Sequence, residues 1–100
     1  MKFKFRSTKL EKCYRDSQRA EKSFGRDIGR TFIRRIDQVA ALDKLSDFHL
    51  VPQFHFHPLK GKRAGQYAIS LSGMMRLIVT FEEGSETVVW IEEVSKHYGD

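Results

Sequence analysis

The 100-residue chain has one cysteine, Cys13, which excludes an internal disulfide and any zinc site built from a cysteine cluster. It has only two prolines and no low-complexity tract, and its twelve aromatic residues argue against a disordered chain. Long apolar runs are missing too. Strings such as Val88-Val89-Trp90-Ile91 fall far short of the roughly 20 residues that a membrane-spanning helix needs. The start, Met1-Lys2-Phe3-Lys4-Phe5-Arg6, alternates charge with aromatic residues and lacks the apolar stretch of a signal peptide. What remains is 40% hydrophobic, enough to fold as one domain over residues 1–100, and the expected compartment is the cytoplasm.

Acidic residues are scarce where they matter most. The net charge of +5 hides a strong partition. Residues 1–50 hold 13 basic and 7 acidic side chains, and residues 82–100 hold six carboxylates against Lys96 alone. Between them, residues 51–81 carry Lys60, Lys62, Arg63 and Arg76 with no acid at all. Such a stretch is either a solvated basic face or a surface for a polyanion, and charge alone does not separate the two.

Apolar spacing supplies the elements. Phe3 and Phe5 alternate with cations in the period-two pattern of a half-buried strand. Thr8-Lys9-Leu10-Glu11 fits a helix-opening capping box with Thr8 as the cap. Leu10, Cys13, Tyr14, Ser17, Ala20 and Phe24 then recur at helical spacing in one helix that ends at Gly25. A second helix carries Ile28, Phe32, Ile36, Val39 and Ala40 on one side and Arg30, Arg34 and Arg35 on the other, which makes a helical hairpin. Asp43 to Pro52 reads as a segment wandering over the surface, and Phe54-His55-Phe56-His57 as an extended edge stopped by Pro58. Gln66–Ser72, Met75–Phe81 and Thr87–Ile91, separated by turns at Gly73 and Glu82-Glu83-Gly84-Ser85, read as an antiparallel meander. The expected fold is α+β: an N-terminal strand, a helical hairpin, then three to four antiparallel strands with the helices on one sheet face.

Three places carry possible chemistry. The loop His57-Pro58-Leu59-Lys60-Gly61-Lys62-Arg63-Ala64-Gly65 packs three cations between glycines that let a backbone approach phosphate, although it lacks the Walker A spacing. Its plainer reading is a solvated turn. Arg76 falls within Met74-Met75-Arg76-Leu77-Ile78-Val79, where a bare guanidinium is costly. Either it pairs with Glu92 or Glu93 on the next strand, or it is held to grip a phosphate bidentately. His97, followed by Tyr98, is either a surface residue or a proton carrier suited to neutral pH. His55 and His57 with His97 could be imagined around zinc, but the neighbouring cations oppose a dication and no metal is expected. Cys13 lies on an apolar helix stripe and reads as core.

The string His57-x-Leu59-Lys60-Gly61-x-Arg63-x-Gly65-Gln66-Tyr67-Ala68-Ile69-x-Leu71-Ser72-Gly73-x-x-Arg76-Leu77-Ile78 resembles the HigB-like, plasmid-maintenance branch of the RelE/ParE toxin superfamily. Lys9-Leu10-Glu11-Lys12, Phe24-Gly25, Arg34-Arg35-Ile36-Asp37 and Ile91-Glu92-Glu93-Val94 followed by His97 extend the likeness over nearly the whole chain. The resemblance implies a β-α-α-β-β-β fold and a toxin that cleaves messenger RNA in the ribosomal A site until a cognate antitoxin silences it. It places the family's catalytic lysine, arginine and histidine on Lys60, Arg76 and His97. Many relatives carry an Asp-Tyr pair before that histidine, and here Ser95 and Lys96 stand instead, leaving Tyr98 or Lys96 to take over part of the role. Some relatives have a second arginine where this chain has Ser72, which gives Lys62 and Arg63 more weight as RNA-binding groups. On the same reading Arg30 and Arg34, with Arg35, Lys12 and Arg15, are basic helix faces that grip ribosomal RNA. The implied partners are a small helix-turn-helix antitoxin, the ribosome and mRNA, with no cofactor. The same fold also includes ParE-like toxins that bind gyrase and cut no RNA.

Overall fold

In the computed structural model, which describes residues 1–96, one mixed sheet is covered by helices on a single face. The elements are β1 (Lys2–Phe5), α1 (Thr8–Arg15), α2 (Ser17–Phe24), α3 (Arg26–Ala40), β2 (His57–Pro58), β3 (Tyr67–Ser72), β4 (Met75–Glu82) and β5 (Val88–Lys96). The sheet order is β1-β5-β4-β3-β2. The expected antiparallel meander is present as β3-β4-β5, and β1 joins it parallel to β5, with Phe3 opposite Val89 and Phe5 opposite Ile91.

Two helices were expected before the meander, and three are found, because Asp16 interrupts the first. Its backbone is extended (φ −137°, ψ 105°), its N–H closes α1 on the Lys12 carbonyl, and its carboxylate accepts from the Gln18 N–H to open α2. A short carboxylate that competes for backbone N–H groups favours such a cap over the helix interior. The cap of α1 is also one residue earlier than expected. Ser7, not Thr8, accepts from the Leu10 N–H, and Glu11 turns to Arg15 at 3.2 Å instead of closing a capping box.

The helices bury one stripe each against the sheet. Leu10 and Cys13 from α1, Ala20 from α2, and Phe32, Ile36 and Val39 from α3 form one core with Ile69, Leu71, Leu77, Val79, Val89 and Ile91. Gly29 allows α3 to press on α2: a Cβ there would lie 2.6 Å from the Ala20 carbonyl carbon. Tyr14 donates to Asp37 and ties α1 to α3; that hydrogen bond and burial raise its phenol above the ordinary range.

The segment expected to wander on the surface does so, with Leu50 exposed, but it sends Phe48 into the core. Leu45–Leu50 and Pro52–Phe54 form short 3₁₀ turns that place Phe48 and Phe54 fully inside. Phe48 packs within 5–6 Å of the rings of Phe54, Phe56 and Phe81. Clustered aromatics in an irregular segment carry no periodicity, so their burial is set by the sheet end they cover. The same packing replaces the expected extended run at 54–57. His55 takes a left-handed conformation (φ 43°), and only His57 and Pro58 pair with β3.

Arg35, expected on the basic helix face, is buried. Its Nε donates to the Ser70 carbonyl at 2.8 Å, beside the irregular step in the β3–β4 pairing, and its Nη1 donates to Gln38 at 3.1 Å. Burial and neighbouring Arg34 lower its pKa from the ordinary arginine value. Among the described residues, no helix is long and apolar enough to cross a membrane.

Candidate functional site

The sheet face away from the helices carries Arg76 and, on the loop docked to it, Lys60, Lys62 and Arg63. Strand alternation puts Ala68 and Ser70 of β3, and Arg76, Ile78 and Thr80 of β4, on this face, because Ile69, Leu71, Leu77 and Val79 face the helices. A second small cluster of Leu59, Ala68 and Ile78 seals part of it. Leu59 thereby anchors the basic loop onto the open face. The loop is closed by the Leu59 N–H on the Gln66 carbonyl (2.9 Å) and by a 3₁₀ turn over Gly61–Arg63. Gly61 (φ 62°) and Gly65 (φ 94°) supply the positive φ that this reversal needs. Lys60 and Lys62 are exposed there, one and three residues from the anchor. Arg76 lies two residues, roughly 7 Å of strand, from the Ile78 that Leu59 touches.

Of the two readings of Arg76, the ion pair with Glu92 or Glu93 is not formed. The pairing of β4 with β5 shifts between Ile78 and Val79, so Glu92 is a bulge residue. Ile91 and Val94 both pack on the helix side, which turns Glu92 and Glu93 together onto the open face. Glu92 accepts from Arg6 at 2.8 and 2.9 Å and from the Thr80 hydroxyl at 2.6 Å. The hydrogen bond from Arg6 is the largest cause holding its carboxyl below the ordinary range, and the Thr80 hydroxyl adds to it. Glu93 takes Arg63 at 3.2 Å, and Arg63 also donates to Gln66 at 2.9 Å.

Arg76 is thus left without an ion pair among the described residues. Its Nη1 donates to the Gly73 carbonyl at 2.8 Å and the Met75 carbonyl at 3.0 Å, while its buried Nε finds no acceptor among the described residues. Carbonyls on one side pin the guanidinium without neutralising it. Ser95 lies opposite Arg76 and Lys96 opposite Met75, so β5 ends beside the arginine. His97 and Tyr98 lie outside the described residues.

Other predicted RNA contacts fall elsewhere. Arg30 and Arg34 are exposed on α3, which packs on the other face of the sheet, so they do not join Lys60, Lys62, Arg63 and Arg76. Arg30 is also 3.7 Å from Glu21. Among the described residues no group of three or more His, Cys, Asp or Glu side chains could hold a metal ion. Cys13 is buried in the core as expected. Sequence reasoning missed the bulge that turns two carboxylates to one face; it set Lys12 on a basic helix face but missed the grouping of Lys9, Lys12, Arg19 and Lys22 between α1 and α2. The spacing of Lys9 to Lys12 and of Arg19 to Lys22, three residues each, would have placed each pair on one helix face.

No family sequence model matches the chain, and no curated protein matches it by sequence. Among solved structures, the chain is similar to a YoeB/ParE toxin from Agrobacterium tumefaciens, with a TM-score of 0.62 and 19% sequence identity, over 98% of this chain and all of the other. At that identity the likeness speaks for the fold: the chain has the RelE/ParE-like toxin fold.

Proposed function

We propose that the chain is the toxin of a type II toxin–antitoxin system, a metal-independent endoribonuclease that cuts messenger RNA on the ribosome and so stops translation in the cytoplasm. The observation that carries this reading is Arg76: a guanidinium pinned by two carbonyls on the open sheet face, with no carboxylate partner among the described residues and one buried N–H unspent. The toxin fold supports the same assignment, and the motif around Lys60–Arg76 is the ground for proposing the HigB-like branch.

In the proposed reaction the RNA 2′-hydroxyl attacks its own 3′-phosphorus, the bond from phosphorus to the 5′-oxygen breaks, and the products are a 2′,3′-cyclic phosphate and a free 5′-hydroxyl. The 2′ proton passes to a base and the 5′-oxygen takes a proton from an acid. Arg76 and Lys60 hold the charge that builds on the phosphorane, with Arg63 and Lys62 beside them. His97, next in sequence after Lys96, carries a proton in this scheme, a service worth roughly 10²–10⁴-fold. Ser95 and Lys96 stand where relatives have Asp-Tyr, and Lys96 and Tyr98 contact RNA in part of that role. The ribosome presents the substrate, so a small open face suffices. A helix-turn-helix antitoxin is the proposed silencing partner.

The test is mRNA cleavage by His97→Ala and Arg76→Ala in the presence of ribosomes, mapped by primer extension. Discrete cuts within codons that both substitutions abolish support the assignment, and wild-type cleavage by both variants refutes the site. Intact transcripts with DNA-damage signalling would instead mark a gyrase poison of the ParE kind.

A further inference from the structure

A second cationic site lies away from the sheet face, in the groove between α1 and α2. The cleft, about 640 Å³, is lined by Lys9 and Lys12 of α1 and Arg19 and Lys22 of α2, with the hydroxyls of Thr8 and Ser23 beside them. The hairpin's carboxylates do little to offset this charge. Glu11 is taken by Arg15 at 3.2 Å and Glu21 by Arg30 at 3.7 Å, which leaves Asp16, 3.6 Å from Arg19, against four cations. Such a concentration of like charge in a concave surface is unfavourable in the free protein and is relieved by an anion.

The shape and position of the groove narrow the anion. Lys9 also lines an adjoining smaller cleft whose other wall is Glu92, Glu93 and Val94 of β5. The two acids there are already matched by Arg6 and Arg63. This cleft, whose wall also includes Ser7, Leu10 and Phe24, leads from the groove, past Lys9, to the Arg63–Glu93 pair at the edge of the Arg76 site. Among the described residues no large apolar side chain lines the groove itself, where Cys13 is the apolar contact; Leu10 and Phe24 line the adjoining cleft. The walls carry four cations, the hydroxyl residues Thr8 and Ser23, and Cys13, with no carboxylate and no large apolar anchor among the described residues, a lining that suits phosphodiesters.

We infer that the α1/α2 groove binds the phosphate backbone of the RNA strand that passes through the Arg76 site, several nucleotides from the linkage attacked; this rests on the nuclease reading above. Lys12, Arg19 and Lys22 hold the strand in the groove, and Lys9, which lines both clefts, links the two sites.

The test measures binding, not cleavage, so that it can fail independently of the nuclease assignment. Full-length wild-type protein and a Lys12→Gln/Lys22→Gln double variant are titrated by fluorescence anisotropy with 2′-O-methyl RNA of three and of twelve nucleotides, across a salt series. Both substituted residues are exposed, and an unchanged unfolding midpoint confirms an intact fold. The expected result is weaker binding of the dodecamer, its logarithmic salt slope shallower by about 1.4 for two lost phosphate contacts, with trinucleotide binding unchanged. An unchanged dodecamer slope, an equal loss for the trinucleotide, or no dodecamer binding by the wild type overturns the proposal. So does a variant that loses binding to poly-glutamate but keeps RNA, which would make the groove a protein-docking surface. A shallower slope in a protein that cuts no messenger RNA would uphold the groove and refute the nuclease.

Discussion

Replacing Arg76 by methionine should separate stability from activity. The stem of the side chain is retained and the guanidinium removed. Two hydrogen bonds disappear, from Nη1 to Gly73 at 2.8 Å and to Met75 at 3.0 Å, and bonds of charged groups are each worth roughly 1.5–3 kcal/mol when buried and less where solvent competes. The first of these is exposed, which puts the loss at the low end. Against it stands the Nε, buried with no acceptor among the described residues, whose desolvation costs about 1–3 kcal/mol and is relieved by the substitution. The two nearly cancel, and the expected change in unfolding free energy is within about 1 kcal/mol. Cleavage should fall far more, because loss of a donor aimed at developing charge typically costs 10²–10³-fold, about 2.7–4 kcal/mol. Urea unfolding and the single-turnover cleavage rate of ribosome-bound mRNA are the paired measurements. Arg76→Lys keeps the charge but not the planar fork and should recover only part of the rate. A methionine variant that loses more than 3 kcal/mol of stability, or one that cleaves at the wild-type rate, would show that Arg76 is there for the fold and not for phosphate.

Four further outcomes are expected. Gly29→Ala should lower the melting temperature by several degrees, because overpacking against the Ala20 backbone at 2.6 Å, about 1–3 kcal/mol or more, outweighs the roughly 1 kcal/mol of helix propensity gained. Phe48→Ala should cost about 3–5 kcal/mol in urea unfolding, since the ring is fully buried among three others. Glu92 has a folded pKa below its unfolded one, so its contribution is complete above the ordinary carboxylate range and is lost as pH falls through the lowered value. The stability gap between wild type and Glu92→Gln should therefore be widest near neutral pH and close in acid, as followed by unfolding across a pH series. Glu93→Gln should change stability by less than about 1 kcal/mol, because its pair with Arg63 is half exposed, while binding of RNA at low salt tightens as Arg63 is released.

The fold was legible where burial imposes a period. Phe3/Phe5, the Phe32/Ile36/Val39 stripe and the β3–β4 alternation all stand where their spacing put them, because each side chain has only one face to hide. Failures came where a local hydrogen bond or a distant surface decides. Asp16 reads as a tolerable helix residue until its carboxylate is seen capping the next helix, and Phe48 and Phe54 lack any period because the sheet end, not their own backbone, buries them. The site was legible in part. Leu59 and Ile78 were visible as apolar neighbours of cations, but their contact, which docks the basic loop beside Arg76, depends on a non-local pairing. The parallel docking of β1 on β5 is equally non-local, and it delivers Arg6 to Glu92 across 86 positions of chain.

That delivery explains why Arg76 stays unpaired. Without the bulge at Glu92, alternation would send Glu92 and Glu93 to opposite faces, and one of them toward the apolar core. With it, both carboxylates share the open face with Arg76, where either could have neutralised the guanidinium. Arg6 and Thr80 claim the first and Arg63 the second, so each acid is satisfied before Arg76 can reach it. A one-residue deletion that restores regular β4–β5 pairing should therefore do more than destabilise the sheet: it should remove a claimed acid from the open face, free Arg6 or Arg63, and alter the anion affinity of the Arg76 site. Inorganic phosphate or a 2′-O-methyl trinucleotide, titrated against the deletion variant and against Glu92→Gln, reads that change directly. If affinity is the same in both variants and in the wild type, the carboxylates do not govern the charge of the site, and the electrostatic account of Arg76 fails.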